Sequence, residues 1–215
     1  MRAARRTGVI TIVMLLTIMV SGCSWIHDNE PDVQTGERIA PSLVALFEQY
    51  LERDDLSDFE RTTLQQARQS GKIRAQDYET AHAKELSCLT DNGYAITTRK
   101  LSNGLYQTMT IAPLPASDDE VDRYLDASDR CAQGVSKIIE SLYTLQQGNP
   151  DLLSDSYEAA VVCLRKAGLV DDAFTGDRLE QLINSDISGQ ELPFEPNLDS
   201  AQSCFAGAGL ALSID

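Results

Sequence analysis

The chain has 215 residues, with 33 acidic side chains against 18 basic ones and a formal net charge of -15. Nucleic-acid phosphates and anionic lipid surfaces repel so acidic a chain, which excludes nucleic acid as a partner and leaves charge unable to hold the protein on a membrane. Aromatic residues make up 6% of the chain and the single tryptophan is Trp25 near the N-terminus, so a glycan cleft would find few rings to stack on.

The chain opens MRAARR, with three arginines and no acid. The apolar run Val9 to Val20 follows, twelve residues long. That is short of the roughly 20 residues a membrane-crossing helix needs and suits the core of a signal peptide. Ser21 and Gly22 then lead into Cys23. Val-Ser-Gly-Cys at this place resembles the lipobox of bacterial lipoproteins. The resemblance implies that residues 1–22 are a lipoprotein signal peptide, that the bond before Cys23 is cut, and that Cys23 receives a diacylglyceryl group. Two acyl chains hold where one is marginal, at about 0.8 kcal/mol per buried methylene, so the anchor suffices without a spanning helix. The expected address is the extracytoplasmic face of the cell membrane. Losing residues 1–22 leaves the rest of the chain more negative by three charges. Residues 23–38 are polar and turn-rich and read as a flexible tether below the folded body.

Four further cysteines remain: Cys88, Cys131, Cys163 and Cys204. An even count in an exported protein suggests two disulfides, and four cysteines allow three connectivities. An internal echo favours one of them. CLTDNG at Cys88 and CLRKAG at Cys163 both read Cys-Leu-x-x-x-Gly, and both follow a helical stretch containing Tyr-Glu. CFAGAG at Cys204 repeats the form. The next cysteines stand 43 and 41 residues on. The simplest reading is two related units, 39–148 and 149–215, closed by Cys88–Cys131 and Cys163–Cys204. Chain entropy assigns about 4 kcal/mol to each loop of that size. Cys-x-x-Cys is missing from the sequence, and with it the spacing of a zinc site; neither a metal nor a cofactor is expected.

In chain order, PSLVALFEQYLERDD places Leu43, Leu46, Phe47, Tyr50 and Leu51 on one helical face. SDFE at Ser57–Glu60 is a capping box, opening a helix that runs to about Gln69 and stops at Gly71, a residue suited to the left-handed end of a helix. GKIRAQDYETAH restarts a helix that reaches Cys88 and ends at Asn92-Gly93. The link between them is no calcium loop. Such a loop needs acids at its first, third and fifth positions, where this chain has Gln66, Arg68 and Ser70. The pair reads as a helical hairpin with Ile73 plugging the core, and over about thirty residues it resembles the short helical-hairpin module sometimes called SHOCT-like.

YAITTRKLSNGLYQTMTI follows. Asn103-Gly104 signals a two-residue hairpin turn, which sets Leu101 against Tyr106 and Ile96 against Ile111. Tyr94, Ile96, Met109 and Ile111 then form the buried face. Two strands alone are marginal, so the hairpin must lie on helices. Ser117–Glu120 reads as a second capping box opening the longest helix. Val121, Tyr124, Leu125, Ser128, Cys131, Val135, Ile138, Ile139, Leu142 and Leu145 recur along it at near-heptad spacing. That stripe suits a core helix; a coiled-coil seam is the competing reading, and Gly134 interrupts it. QGNP ends the helix. A helix through Cys163 stops at Gly168, a shorter one spans about 177–185, SGQELPFEPN is a loop, and Asp199 caps the last turns around Cys204. The fold class expected is mainly α with one β-hairpin, a disulfide-stapled helical domain of two loosely related units.

Catalytic motifs are not apparent. His27 lies on the tether, and His82 sits mid-helix, four residues after Tyr78, as a packed or half-exposed side chain. The supporting members of a Ser–His–Asp set are not legible, nor are a phosphate loop, His-Glu-x-x-His or Gly-x-Ser-x-Gly. The acids of SDDE favour a helix start, and VDDAFTGD lacks the ligand spacing of a cation loop. The segments SDFERTTLQQARQSGKI, DYETAHAKELSCLTDNGY, SNGLYQ, LQQGNP and YEAAVVCLRKAGLV together resemble a family of actinobacterial-type lipoproteins, over most of residues 40–170. That resemblance implies an envelope location and transfers no site and no activity. The function expected is a non-enzymatic binding or accessory lipoprotein, held to the membrane by its diacylglyceryl anchor and contacting another envelope protein such as a transporter. The alternative is a carboxylate-based envelope hydrolase.

Overall fold

Eight helices and one β-hairpin make up the computed structural model over residues 36–184 and 192–211, the residues it describes. Cys23 and His27, with the signal peptide and most of the tether, lie outside the described residues, as do the first four residues of the SGQELPFEPN loop. The described residues belong to one compact unit. It is mainly α with one antiparallel hairpin, stapled by two disulfides.

Helix α1 (Leu43–Leu51) starts where the Ser42 hydroxyl accepts the amide of Ala45. It buries Leu46 and Phe47, flanked by half-buried Leu43, Tyr50 and Leu51. Helix α2 (Asp58–Ser70) opens with the expected capping box. The Ser57 hydroxyl accepts from Glu60 N at 3.1 Å, and Glu60 Oε2 accepts from Ser57 N at 3.0 Å. Gly71, at φ +78°, ends it. Ile73 is buried as expected, and the Gln146 amide brackets its backbone, accepting from Ile73 N and donating to Ile73 O. Helix α3 (Ala75–Asp91) is the longest, and with α1, α2 and the later helix α5 (Lys137–Gly148) it encloses the main apolar cluster around Phe47, Leu64, Ile73, Ala81, Ile139 and Leu142.

The hairpin pairs β1 (Ala95–Lys100) with β2 (Tyr106–Ala112). Ile96 faces Ile111 as the pattern requires, but the register slips by one after Thr97, where Met109 is the extra residue. The turn accounts for the difference. Leu101 N donates to Leu105 O and Gly104 N to Leu101 O, so the loop is Ser102-Asn103-Gly104 with Gly104 left-handed at φ +85°. This is the three-residue class of hairpin. Leu101 therefore faces Leu105, not Tyr106, and both leucines are buried. Met109, expected inside, is 54% exposed, because a bulge residue leaves the two-residue alternation.

The expected long helix is two. Helix α4 (Asp118–Ala132) stops before Gly134, at φ +73°, and α5 begins at Lys137. The second capping box is not made: Ser117 gives no cap bond, and Glu120 Oε2 accepts instead from Ala116 N, one residue before the cap, at 2.8 Å. Helices α6 (Ser156–Lys166), α7 (Gly176–Asn184) and α8 (Asp199–Gly207) form a second apolar cluster around Leu164, Leu179 and Phe205. Asp199 is not the cap of α8. Leu198 holds that place, and Asp199 Oδ2 accepts from Ser102 N of the hairpin loop at 2.9 Å.

Candidate functional site

The cysteines pair Cys88 with Cys131 and Cys163 with Cys204, at Cα separations of 5.6 and 5.4 Å. The first bridge joins α3 to α4 over a small cluster containing Leu89 and Ala127. The second joins α6 to α8. A groove lies between α3, the α4–α5 corner and the end of α8.

Residues 78, 82, 85 and 89 fall on one face of α3, four, three and four apart. The face is mixed: Tyr78 and Leu89 are buried, and His82 and Glu85 are half-buried between them. Opposite stand Ser136, Glu140 and Tyr143, with the same spacing on and just before α5. His82 Nδ1 lies 2.9 Å from Glu140 Oε1, and Nε2 lies 3.5 Å from Thr98 Oγ1 on β1. The imidazole stacks flat on Tyr106, with centroids 4.2 Å apart and planes 2° apart. Tyr78 continues the stack against Tyr143 at 4.2 Å, and its hydroxyl accepts the amide of Tyr106 at 2.8 Å. Hydroxyl, imidazole and carboxylate share the connectivity of a nucleophile relay. Here, however, Tyr106 covers one ring face, and the hydroxyl sits at the outer limit of a hydrogen bond. The imidazole fastens the hairpin to α5.

Glu85 accepts a hydrogen bond from the buried Ser136 hydroxyl at the α4–α5 corner. Burial pushes the Glu85 carboxyl above its ordinary range; the Ser136 bond opposes this, and the negative charge of Glu140 adds to it. No lysine or arginine pairs with Glu85 among the described residues. Burial also raises the Tyr78 phenol, strongly, against the bond from Tyr106. Glu85, Ser136, Glu140, Ser141, Thr144 and the α8 terminus at Gly207–Gly209 line an open groove of about 500 Å³. Lys137 also lines the groove but is paired with Asp129 at 2.6 Å; the two carboxylates, three hydroxyls and small-residue floor that are left suit a cationic group better than an anionic one.

Helix α4 reaches this groove at Ala132, and its outer side carries exposed apolar side chains. Val121 is 41% exposed and Leu125 56% exposed, and Leu114 just before the helix is 76% exposed. The sequence stripe is thus split: Tyr124 and Cys131 turn inward beside buried Ala127, which the stripe did not include, while Val121 and Leu125 face solvent. Six acids and two arginines lie on this helix.

The sequence placed the disulfide pairs and left His82 as a packed or half-exposed side chain, which the structure shows half-buried and stacked on Tyr106; it missed the Glu85–Glu140 groove. A signal was present: a histidine and a glutamate on the same face as Tyr78 and Leu89. Its meaning depended on which residues of α5 lay opposite. Among the described residues, no three His, Cys, Asp or Glu side chains converge as a metal site, and no helix is long and apolar enough to cross a membrane. No protein-family model, curated protein or solved structure matches the chain.

Proposed function

We propose that this protein is a lipid-anchored lipoprotein of the extracytoplasmic membrane face, acting as a binding or accessory partner of another envelope protein. The observation that carries the reading is the pair of disulfides closing the body behind an N-terminal Arg-rich, apolar and Val-Ser-Gly-Cys series. Structural disulfides belong to oxidising compartments, and the lipobox resemblance supplies both export and anchor through Cys23. Membrane attachment is through the diacylglyceryl group. No cofactor and no metal enter the proposal. The test is labelling with a fatty-acid probe in cells. Wild-type protein takes up label and fractionates with membranes, and Cys23→Ala does neither; equal labelling of the two would overturn the anchor.

A carboxylate-based envelope hydrolase is the second reading. Its support is specific: Glu85 and Glu140 line one groove, and the Glu85 carboxyl holds its proton more tightly than usual, as a general acid must. Release of reducing sugars from purified cell wall by wild type, and its loss in Glu85→Gln, would establish it.

A further inference from the structure

We propose that the strip of α4 headed by exposed Val121 and Leu125 and the Glu85/Glu140 groove form one continuous docking surface for a basic amphipathic helix of another envelope protein. The inference rests on the accessory reading above and names the chemistry of the partner.

At 100° per residue, Val121, Leu125, Ser128 and Ala132 fall within an arc of about 60° on α4. Ala132 is also a wall of the groove. The strip therefore runs about 16 Å along the helix and ends where Glu85 and Glu140 begin. Exposed Val121 and Leu125 stand one turn apart at its start, and the small Ser128 and Ala132 leave room for a facing helix beyond them, which matches an amphipathic helix read through i, i+4 and i+7 anchors. Charge selects the sign of the partner. Asp118, Asp122 and Asp126 edge the strip on its solvent side by the same helical arithmetic, and Arg123 and Arg130 fall on the opposite side. Lys137, at the groove rim, is held 2.6 Å from Asp129 and does not reach Glu85. A half-buried carboxylate beside a second one, with no lysine or arginine partner among the described residues, is completed by a lysine or arginine from outside. Two other occupants fit worse. Anionic lipid headgroups would meet the acidic edge, and a second copy docking strip to strip would bring like charges together.

The test uses the full-length chain in detergent and a synthetic helical peptide with leucines at i, i+4, i+7 and i+11, flanked by lysines and followed by a terminal lysine pair. The expected result is saturable binding that weakens about tenfold or more in Leu125→Ser and in Glu85→Gln/Glu140→Gln. Leu125 is exposed, so its replacement leaves the fold intact, which circular dichroism checks. Equal binding of a peptide with the same composition but scattered leucines, or unchanged affinity in Leu125→Ser, would overturn the proposal. A photo-crosslinker at position 125 in the native envelope, with one at exposed Gln65 as control, identifies the occupant. Selective capture of a lysine- or arginine-bearing amphipathic segment supports the proposal; capture of lipid, of a second copy, or of the same products at both positions overturns it. Failure to acylate Cys23 would remove the envelope reading and leave the peptide result standing, so the two claims fail separately.

Discussion

Gly148 and Gly207 meet where α5 crosses α8: a Cβ built on Gly148 would lie 2.0 Å from the Gly207 Cα. The contact joins the two stapled halves, since α5 belongs to the first apolar cluster and α8 to the second. No side chain can be accommodated by rotation, because the obstacle is backbone. Gly148→Ala is expected to cost at least the upper end of the range of about 1–3 kcal/mol for overpacking. Gly71→Ala, at a left-handed position with open space around it, should cost about 1 kcal/mol. Denaturant unfolding of both variants checks the order.

Glu85 makes stability depend on pH in a stated direction. Its folded pKa is raised, by burial first and by Glu140 second. A carboxyl of that kind stabilises the fold while protonated, fully so below its unfolded value of about 4.3, and loses that contribution as pH rises through the folded pKa. Gln keeps an acceptor for Ser136 and has no charge. Glu85→Gln is therefore expected to melt higher than wild type at neutral pH, with the difference shrinking as pH falls toward 4. Melting curves across that range decide it; a difference independent of pH would contradict the assignment.

The hairpin register separates Met109 from Leu105. Met109→Lys, at an exposed bulge, should change stability by no more than about 0.5 kcal/mol. Leu105→Ala, at a buried position in the main cluster, should cost about 2–5 kcal/mol. Chemical denaturation of the pair tests the slip, and the reverse order would restore a two-residue turn.

Each bridge closes a loop of about forty residues, worth about 4 kcal/mol by chain entropy. Reduction should lower the melting temperature markedly. Cys163→Ser/Cys204→Ser should weaken the α6–α8 half first, as seen by hydrogen exchange at amides of α8.

Local signals carried most of the element positions. Ser57 with Glu60, Gly71 and Asn92-Gly93 place helix ends through short-range chemistry that needs no tertiary information. The echo of Cys-Leu-x-x-x-Gly gave the cysteine pairing. The failures lie where a choice depends on what packs opposite. Asn103-Gly104 is compatible with a two- or three-residue loop, and burial of both Leu101 and Leu105 selected the longer. The stripe from Val121 to Leu145 has helical periodicity throughout, yet Gly134 turns the chain, so one amphipathic pattern became a half-exposed helix and a core helix. Asp199 follows a plausible capping pattern, but the amide of Ser102, 97 residues away, takes its carboxylate. The Glu85–Glu140 groove was illegible for the same reason: α3 and α5 bring its two acids together from positions 55 residues apart in sequence.

The most direct test of the central claim is mass spectrometry of the protein purified from its native envelope without reducing agent. The account predicts a chain that begins at Cys23 bearing a diacylglyceryl group, with peptides linked through Cys88–Cys131 and Cys163–Cys204. An unprocessed N-terminus on a chain with four free thiols would contradict it.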